Sequence, residues 1–233
     1  MALRALDAFH RLDELVSRPI QKFQLPAVVE NALAYPDGEC FFGKDTAMTT
    51  CWGASMVAQL LYPGENAMAA GLSCTMSAYL AVVAGKTLLK RARPDPDAVG
   101  LAPRTAAGLA ARSRFADSPK WLNTSFPSGG AMISMGFGAF FAEWTGSPLW
   151  YFVPAVTSFA RVYFCCHWLG DALVGAAVGY RVVRTIVALG GPLGLRGISA
   201  ASPLCYAPTA LMTLLATAKY LKERKLAQKD RGP

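Results

Sequence analysis

Three short clusters in the 233-residue chain carry residues whose types and spacing suit chemistry on a phosphate group. The first is KTLLKRARP, in which Lys86 is followed by six residues and then by Arg93 and Pro94. The second is PSGG, residues 127–130. The third is RVYFCCHWLGD: Arg161, five residues, His167, three residues, Asp171. Four residues separate His167 from Asp171, so the two share a face wherever this stretch is helical. A carboxylate placed there accepts one ring N–H and fixes the tautomer, leaving the other ring nitrogen as a nucleophile. Arg161 presents a fork that fits phosphate oxygens. Together with Lys86 and Arg93 it would neutralise a phosphoryl group and stabilise the transition state of its transfer. Ser128 and the backbone N–H groups of Gly129 and Gly130 open an apolar stretch, and a helix N-terminus is a favourable site for an anion.

The elements that must position these residues are apolar. The chain is 53% hydrophobic and only 16% charged, with a mean hydropathy of +0.30, against about 25% charged residues in soluble domains. Composition therefore predicts an all-α integral membrane protein. Candidate spans are 46–62, 67–85, 128–144, 149–166, 167 to about 186, and 204–218, the last kinked at Pro208. Three domain-level segments follow: an amphipathic arm and linker over 1–45, a transmembrane domain over 46–220 and a basic tail over 221–233. The arm carries Leu3, Leu6, Phe9, Leu12 and Val16 at helical spacing with charges between them, as expected of a helix lying on a membrane or on a partner. Residues 1–25 lack the long apolar core of a signal peptide, and Asp7, Asp13 and Glu14 do not suit an acid-poor transit peptide. The six cysteines have no CxxC spacing and read as small apolar residues, with neither a disulfide framework nor a zinc site.

Six spans put both termini, the 86–127 loop and the Cys166/His167 junction on one side. All but Arg181, Arg184 and Arg196 of the 23 lysines and arginines fall on that side. The positive-inside rule then places it in the cytosol, matrix or stroma. A net charge of +8 suits an anionic partner such as lipid headgroups or a phosphorylated lipid, and the apolar composition excludes a nucleic-acid role.

The order and spacing of the three clusters resemble the signature of the type 2 phosphatidic acid phosphatase family, which shares its fold with vanadium haloperoxidases. The family pattern is K-x6-R-P, then P-S-G-H, then S-R-x5-H-x3-D; this chain has K-x6-R-P, P-S-G-G and A-R-x5-H-x3-D. The resemblance spans roughly residues 67–188. It implies a helical bundle, no metal or cofactor requirement, and a phosphohistidine mechanism. His167 would attack phosphorus, Asp171 would orient it, and Lys86, Arg93, Ser128, Gly129 and Arg161 would hold the phosphate. Sites of the family usually face outside or the lumen, the reverse of the side the charge count selects.

Two positions depart from the pattern. Ala160 stands for the family's serine, losing one hydrogen bond to phosphate. Gly130 stands for the family's second histidine, the general acid for the leaving group; the remaining histidine, His10, is far away in sequence. A phosphate monoester of a lipid expels an alkoxide, which needs a proton, so loss of the acid costs on the order of 10²–10⁴ in rate. A lipid diphosphate expels a phosphate monoester, already a stable anion. Two readings follow. One is a membrane lipid phosphate or diphosphate phosphohydrolase of altered activity. The other is an inactive phosphatase-fold protein serving as a structural or lipid-binding subunit of a larger membrane complex.

Overall fold

The computed structural model describes residues 2–35, 47–63, 65–88, 90–113 and 124–198. Every regular element among them is helical: α1 (Ala2–Lys22), α2 (Ala27–Tyr35), α3 (Ala47–Leu61), α4 (Ala67–Leu88), α5 (Pro96–Val99), α6 (Ala106–Ser113), α7 (Gly129–Thr145), α8 (Phe152–Tyr163) and α9 (Leu169–Leu189), with 3₁₀ turns at Pro148–Tyr151 and Gly191–Gly197. Two of the described helices are long and apolar enough to cross a membrane, Ala67–Thr87 and Leu169–Leu189. The remaining expected spans within the described residues correspond to shorter helices: α3, α7, and α8 with the 3₁₀ turn before it. The 204–218 segment and the basic tail lie outside the described residues, as do linker residues 36–45.

Helix α7 is central and packs on α4, α8 and α9. Its Ala139, Phe140 and Trp144 meet Ala70 and Cys74 of α4 and Val183 and Ile186 of α9 in one apolar cluster. Nearer the site, Met132 and Ile133 of α7 meet Met76 and Val82 of α4. Small residues set the spacing. Gly175 and Gly179 of α9 lie one turn apart against the backbone of α7: a Cβ on Gly175 would fall 2.5 Å from the Ser128 carbonyl oxygen, and one on Gly179 would collide with the Met132 carbonyl. This small-xxx-small pattern allows two helix backbones to approach closely. A carbonyl cannot swing aside as a side-chain tip does, so Gly179→Ala is expected to destabilise the bundle by about 1–3 kcal/mol, as overpacking does. A thermal melt followed by helicity in detergent micelles checks this.

Large apolar side chains are exposed on the outer faces of the bundle. Leu60 and Leu61 of α3, Phe152 of α8, and Leu173 and Leu189 of α9 are all exposed. Helix α1 is inverted relative to a helix packed on a soluble core. From residue 8 onward its buried residues are polar (Asp13, Ser17 and Gln21), whereas Phe9, Leu12 and Leu15 are exposed. The expected amphipathic arm is thus a helix with its polar stripe against the protein and its apolar stripe outward.

Two boundaries move relative to the sequence reading, and both concern the site. Helix α8 ends at Tyr163 because the backbone of Cys165 turns into the left-handed region (φ 58°). The N–H groups of Cys166 and His167 then both return to the Arg161 carbonyl, at 3.0 and 3.1 Å. His167 therefore belongs to the cap of α8. It does not share a helical face with Asp171, which lies in the first turn of α9.

Candidate active site

Four segments converge where α4 ends, α7 and α9 begin and α8 turns. Lys86, in the last turn of α4, is buried and donates from Nζ to the Thr124 carbonyl at 2.6 Å. The chain then runs without regular structure through residues 90–95. From there Arg93 donates to the carbonyls of Cys166 (2.6 Å) and Thr124 (3.3 Å), and its Nη1 lies 3.1 Å from His167 Nε2. The 124–128 loop is stitched down by Ser125 N–H to the Arg91 carbonyl (2.7 Å) and Ser128 N–H to the Asp171 carbonyl (3.0 Å), with a cis Phe126–Pro127 bond between them. Ser128 is the N-cap of α7, its hydroxyl accepting the Ala131 N–H at 3.4 Å. Gly129 and Gly130 are the first helical residues.

His167 is almost fully buried. Its Nδ1 lies 2.7 Å from the Ser125 carbonyl, which has no hydrogen to donate, so Nδ1 carries the proton. Nε2 then keeps its lone pair, directed at the Arg93 guanidinium. Burial, reinforced by the charge of Arg93 and opposed by Asp171, pushes the imidazole down to about 3. With Nδ1 on a carbonyl and Nε2 facing an Arg93 N–H, the contacts fit a neutral ring, the form a nucleophile requires.

Asp171 reaches His167 differently from the direct ring N–H bond that the spacing suggests. Its Oδ2 stands 3.9 Å from Nδ1 and instead accepts the Ser125 hydroxyl and, at 3.0 Å, the Trp168 N–H. Its Oδ1 accepts from Arg91 at 2.6 Å. Ser125 is therefore the link between carboxylate and imidazole, through its carbonyl on one side and its hydroxyl on the other. The sequence reading passed over it because it lies two residues before the PSGG stretch. The signal was a second buried-type polar residue in NTSFPSGG. Ser125→Ala retains the carbonyl contact and leaves Asp171 Oδ2 with the Trp168 N–H alone. It is expected to lower turnover about tenfold by loosening the ring, measured as kcat at saturating substrate with the folded fraction matched to wild type.

Gly130 has a specific neighbour. A Cβ at this position would fall 2.5 Å from Nε and 2.9 Å from Cζ of Arg161. The Arg161 guanidinium, 5% exposed, thus lies against the first turn of α7, over the space any side chain at 130 would enter. Lys86 in turn feels the charges of Arg93, Asp171 and Arg161. The structure therefore brings Lys86, Arg93, Ser128, Gly129, Gly130, Arg161, His167 and Asp171 into one constellation. It also adds Ser125, Arg91 and Asp13, which the spacing argument did not select. His10 is not beside Gly130; its Nδ1 accepts from Arg91 Nε at 3.1 Å and its ring stands edge-on to Trp168.

A buried imidazole with a defined tautomer, the basic side chains of Lys86, Arg93 and Arg161 in the same constellation and a helix N-terminus form a site suited to a phosphoryl group. No curated protein and no solved structure gives a significant match to this chain. The family model described as PAP2 superfamily matches residues 66–192, more than half of the chain and all of the constellation except what α1 contributes. Membership points to phosphatase-type hydrolase chemistry, and on the strength of that match the chain belongs to the PAP2 superfamily.

Proposed function

We propose that the protein is a multi-pass membrane phosphohydrolase that transfers a phosphoryl group from a lipid diphosphate, such as a polyprenyl diphosphate, to His167 and then to water. The observation that carries this is the pairing of a neutral His167, its Nε2 lone pair beside Arg93, with an Arg161 guanidinium that fills the space over Gly130. Nε2 attacks the terminal phosphorus, the bond from phosphorus to the bridging oxygen breaks, and the lipid monophosphate leaves with that electron pair. Water then attacks the phosphohistidine, releasing inorganic phosphate and restoring the imidazole. Lys86, Arg93 and Arg161 hold the oxygens, with Ser128 and Gly129 at the start of α7. Asp171, through Ser125, keeps the ring oriented.

Arginine stays charged and is no general acid. At Gly130 the site therefore offers a fixed positive charge in place of a proton, which suits a leaving group that departs as an anion. The same feature supports the second reading, an inactive phosphatase-fold subunit of a larger membrane complex, because among the described residues no second histidine stands at the start of α7. Phosphate release from a prenyl diphosphate and from phosphatidate by the purified protein, with His167→Ala as control, separates the two. His167-dependent release from the diphosphate supports the enzyme, and none from either substrate supports the subunit.

The membrane setting rests on the two long apolar helices, the large apolar side chains exposed on the outer faces and the outward apolar face of α1. About six spans, termini and site facing the cytosol, matrix or stroma, belong to the same proposal. Lys86, Arg91, Arg93, Arg104 and Arg161 are all engaged in internal contacts. The orientation argument therefore leans on the basic residues of the two termini.

A further inference from the structure

We propose that Asp13 and Arg91 are positioning residues for the His167–Asp171 pair, so that helix α1 completes the site from outside the region shared with the superfamily. The inference rests on the catalytic reading above. One guanidinium nitrogen, Arg91 Nη1, lies 2.6 Å from Asp13 Oδ2 and 2.6 Å from Asp171 Oδ1. The two carboxylates are 4% and 0% exposed at their side chains, and a buried charge requires such pairing. Asp13 is itself fixed. Its Oδ1 accepts the Gly170 N–H at 2.7 Å and the Ser17 hydroxyl at 3.3 Å, while Ser17 Oγ accepts the Leu169 N–H at 2.8 Å. Helix α1 thus caps the first turn of α9, immediately before Asp171. Gly170 is part of the fit, because a Cβ there would lie 2.7 Å from Asp13 Oδ2.

Helix α1 turns Asp13, Ser17 and Gln21 inward and leaves Phe9, Leu12 and Leu15 exposed, as a helix lying between a protein and an apolar phase does. Its contacts end on the carboxylate that sets the histidine. Released from Arg91, Asp171 loses the donor on Oδ1 and is held only through Oδ2, by the Ser125 hydroxyl and the Trp168 N–H, 3.9 Å from His167 Nδ1. Less tightly fixed, it competes with the Ser125 carbonyl for the Nδ1 proton. The ring turns, and Nε2 leaves its line toward the phosphate cradle.

The test uses the full-length protein with ¹⁵N-labelled histidine rings, which contribute signals only from His10 and His167; a His10→Gln sample assigns the remaining ring to His167. Asp13→Asn keeps an oxygen for Gly170 and Ser17 but sets an amide N–H against Arg91. Asp13→Asn is expected to shift the His167 ring signals and to lower kcat on a prenyl diphosphate probe about tenfold. KM should stay within about twofold, and Asp13→Glu should recover part of the rate. Unchanged His167 signals in folded Asp13→Asn overturn the proposal, as does a loss of rate that merely follows the folded fraction. If wild type has no His167-dependent turnover, the catalytic reading fails while the ring signals still decide the positioning.

Discussion

Replacing His167 with alanine is expected to lower phosphate release from a prenyl diphosphate on the order of 10⁴-fold or more, to the level of the reaction without enzyme. The residue is argued to form a covalent bond, and loss of a nucleophile removes the route itself. The comparison is informative because little else changes. The imidazole is buried and contacts the Ser125 carbonyl and hydroxyl and Arg93. Its removal leaves the Ser125–Asp171–Arg91 chain in place. Substrate binding, measured as KM or as competition by inorganic phosphate, should therefore hold within a few-fold. A matching loss of binding would point instead to collapse of the site.

The second large effect concerns selectivity. Hydrolysis of a lipid diphosphate is expected to exceed that of a lipid phosphate monoester by about 10²–10⁴ in kcat/KM, the range over which a general acid contributes. Gly130 is the origin of the difference, and Arg161 is its structural consequence. Gly130→Ala tests this link. A methyl at 130 would reach 2.5 Å from Arg161 Nε and push the guanidinium off the helix. Turnover on the diphosphate should then fall about 10–100-fold, since displacement of a catalytic group by about 1 Å costs up to about 10²-fold. Gly130→His, which restores the family residue, is expected to displace Arg161 in the same way and so not to create monoesterase activity by itself. Gain of monoesterase activity in that single variant, with diphosphatase activity unchanged, would contradict this view of Arg161.

The part of the site that could be read from sequence is the part encoded as spacing. Lys86 and Arg93 come from a helix end and the irregular segment after it; Arg161, His167 and Asp171 come from a helix end, a tight turn and a helix start. Each is a local pattern. The residues missed are those that local pattern cannot join. Asp13 meets Arg91 across 78 residues and Gly170 across 157. Nothing in the spacing of Leu3, Leu6, Phe9, Leu12 and Val16 says which face of that helix turns inward. In a soluble protein the apolar face would be the reasonable choice. The polar stripe of His10, Asp13, Ser17 and Gln21 was visible at helical spacing, but its meaning depends on a surrounding phase that is itself apolar. Similarly, Gly175 and Gly179 were legible as a small-xxx-small pair and went unread among apolar neighbours. The helical class and the approximate positions of five expected spans were set by hydropathy. Helix α2 and the short helices α5 and α6 inside the polar 86–126 stretch were not. The first of these is anchored by tertiary bonds such as Tyr163 Oη to Glu30 at 2.9 Å. Helix α5 is started by Asp95 and Pro96 and ended by Gly100 at φ 67°, cues that the sequence did contain.

The most direct test of the phosphohistidine claim is to trap the intermediate. The purified protein is mixed with a prenyl diphosphate labelled in its terminal phosphate, quenched within the first turnover, and examined for protein-bound label. The account predicts a single phosphorylated residue, His167, with the acid-labile, base-stable behaviour of a phosphohistidine, and no label in His167→Ala. Steady hydrolysis with no label on His167, or the same label and rate in His167→Ala, would contradict it.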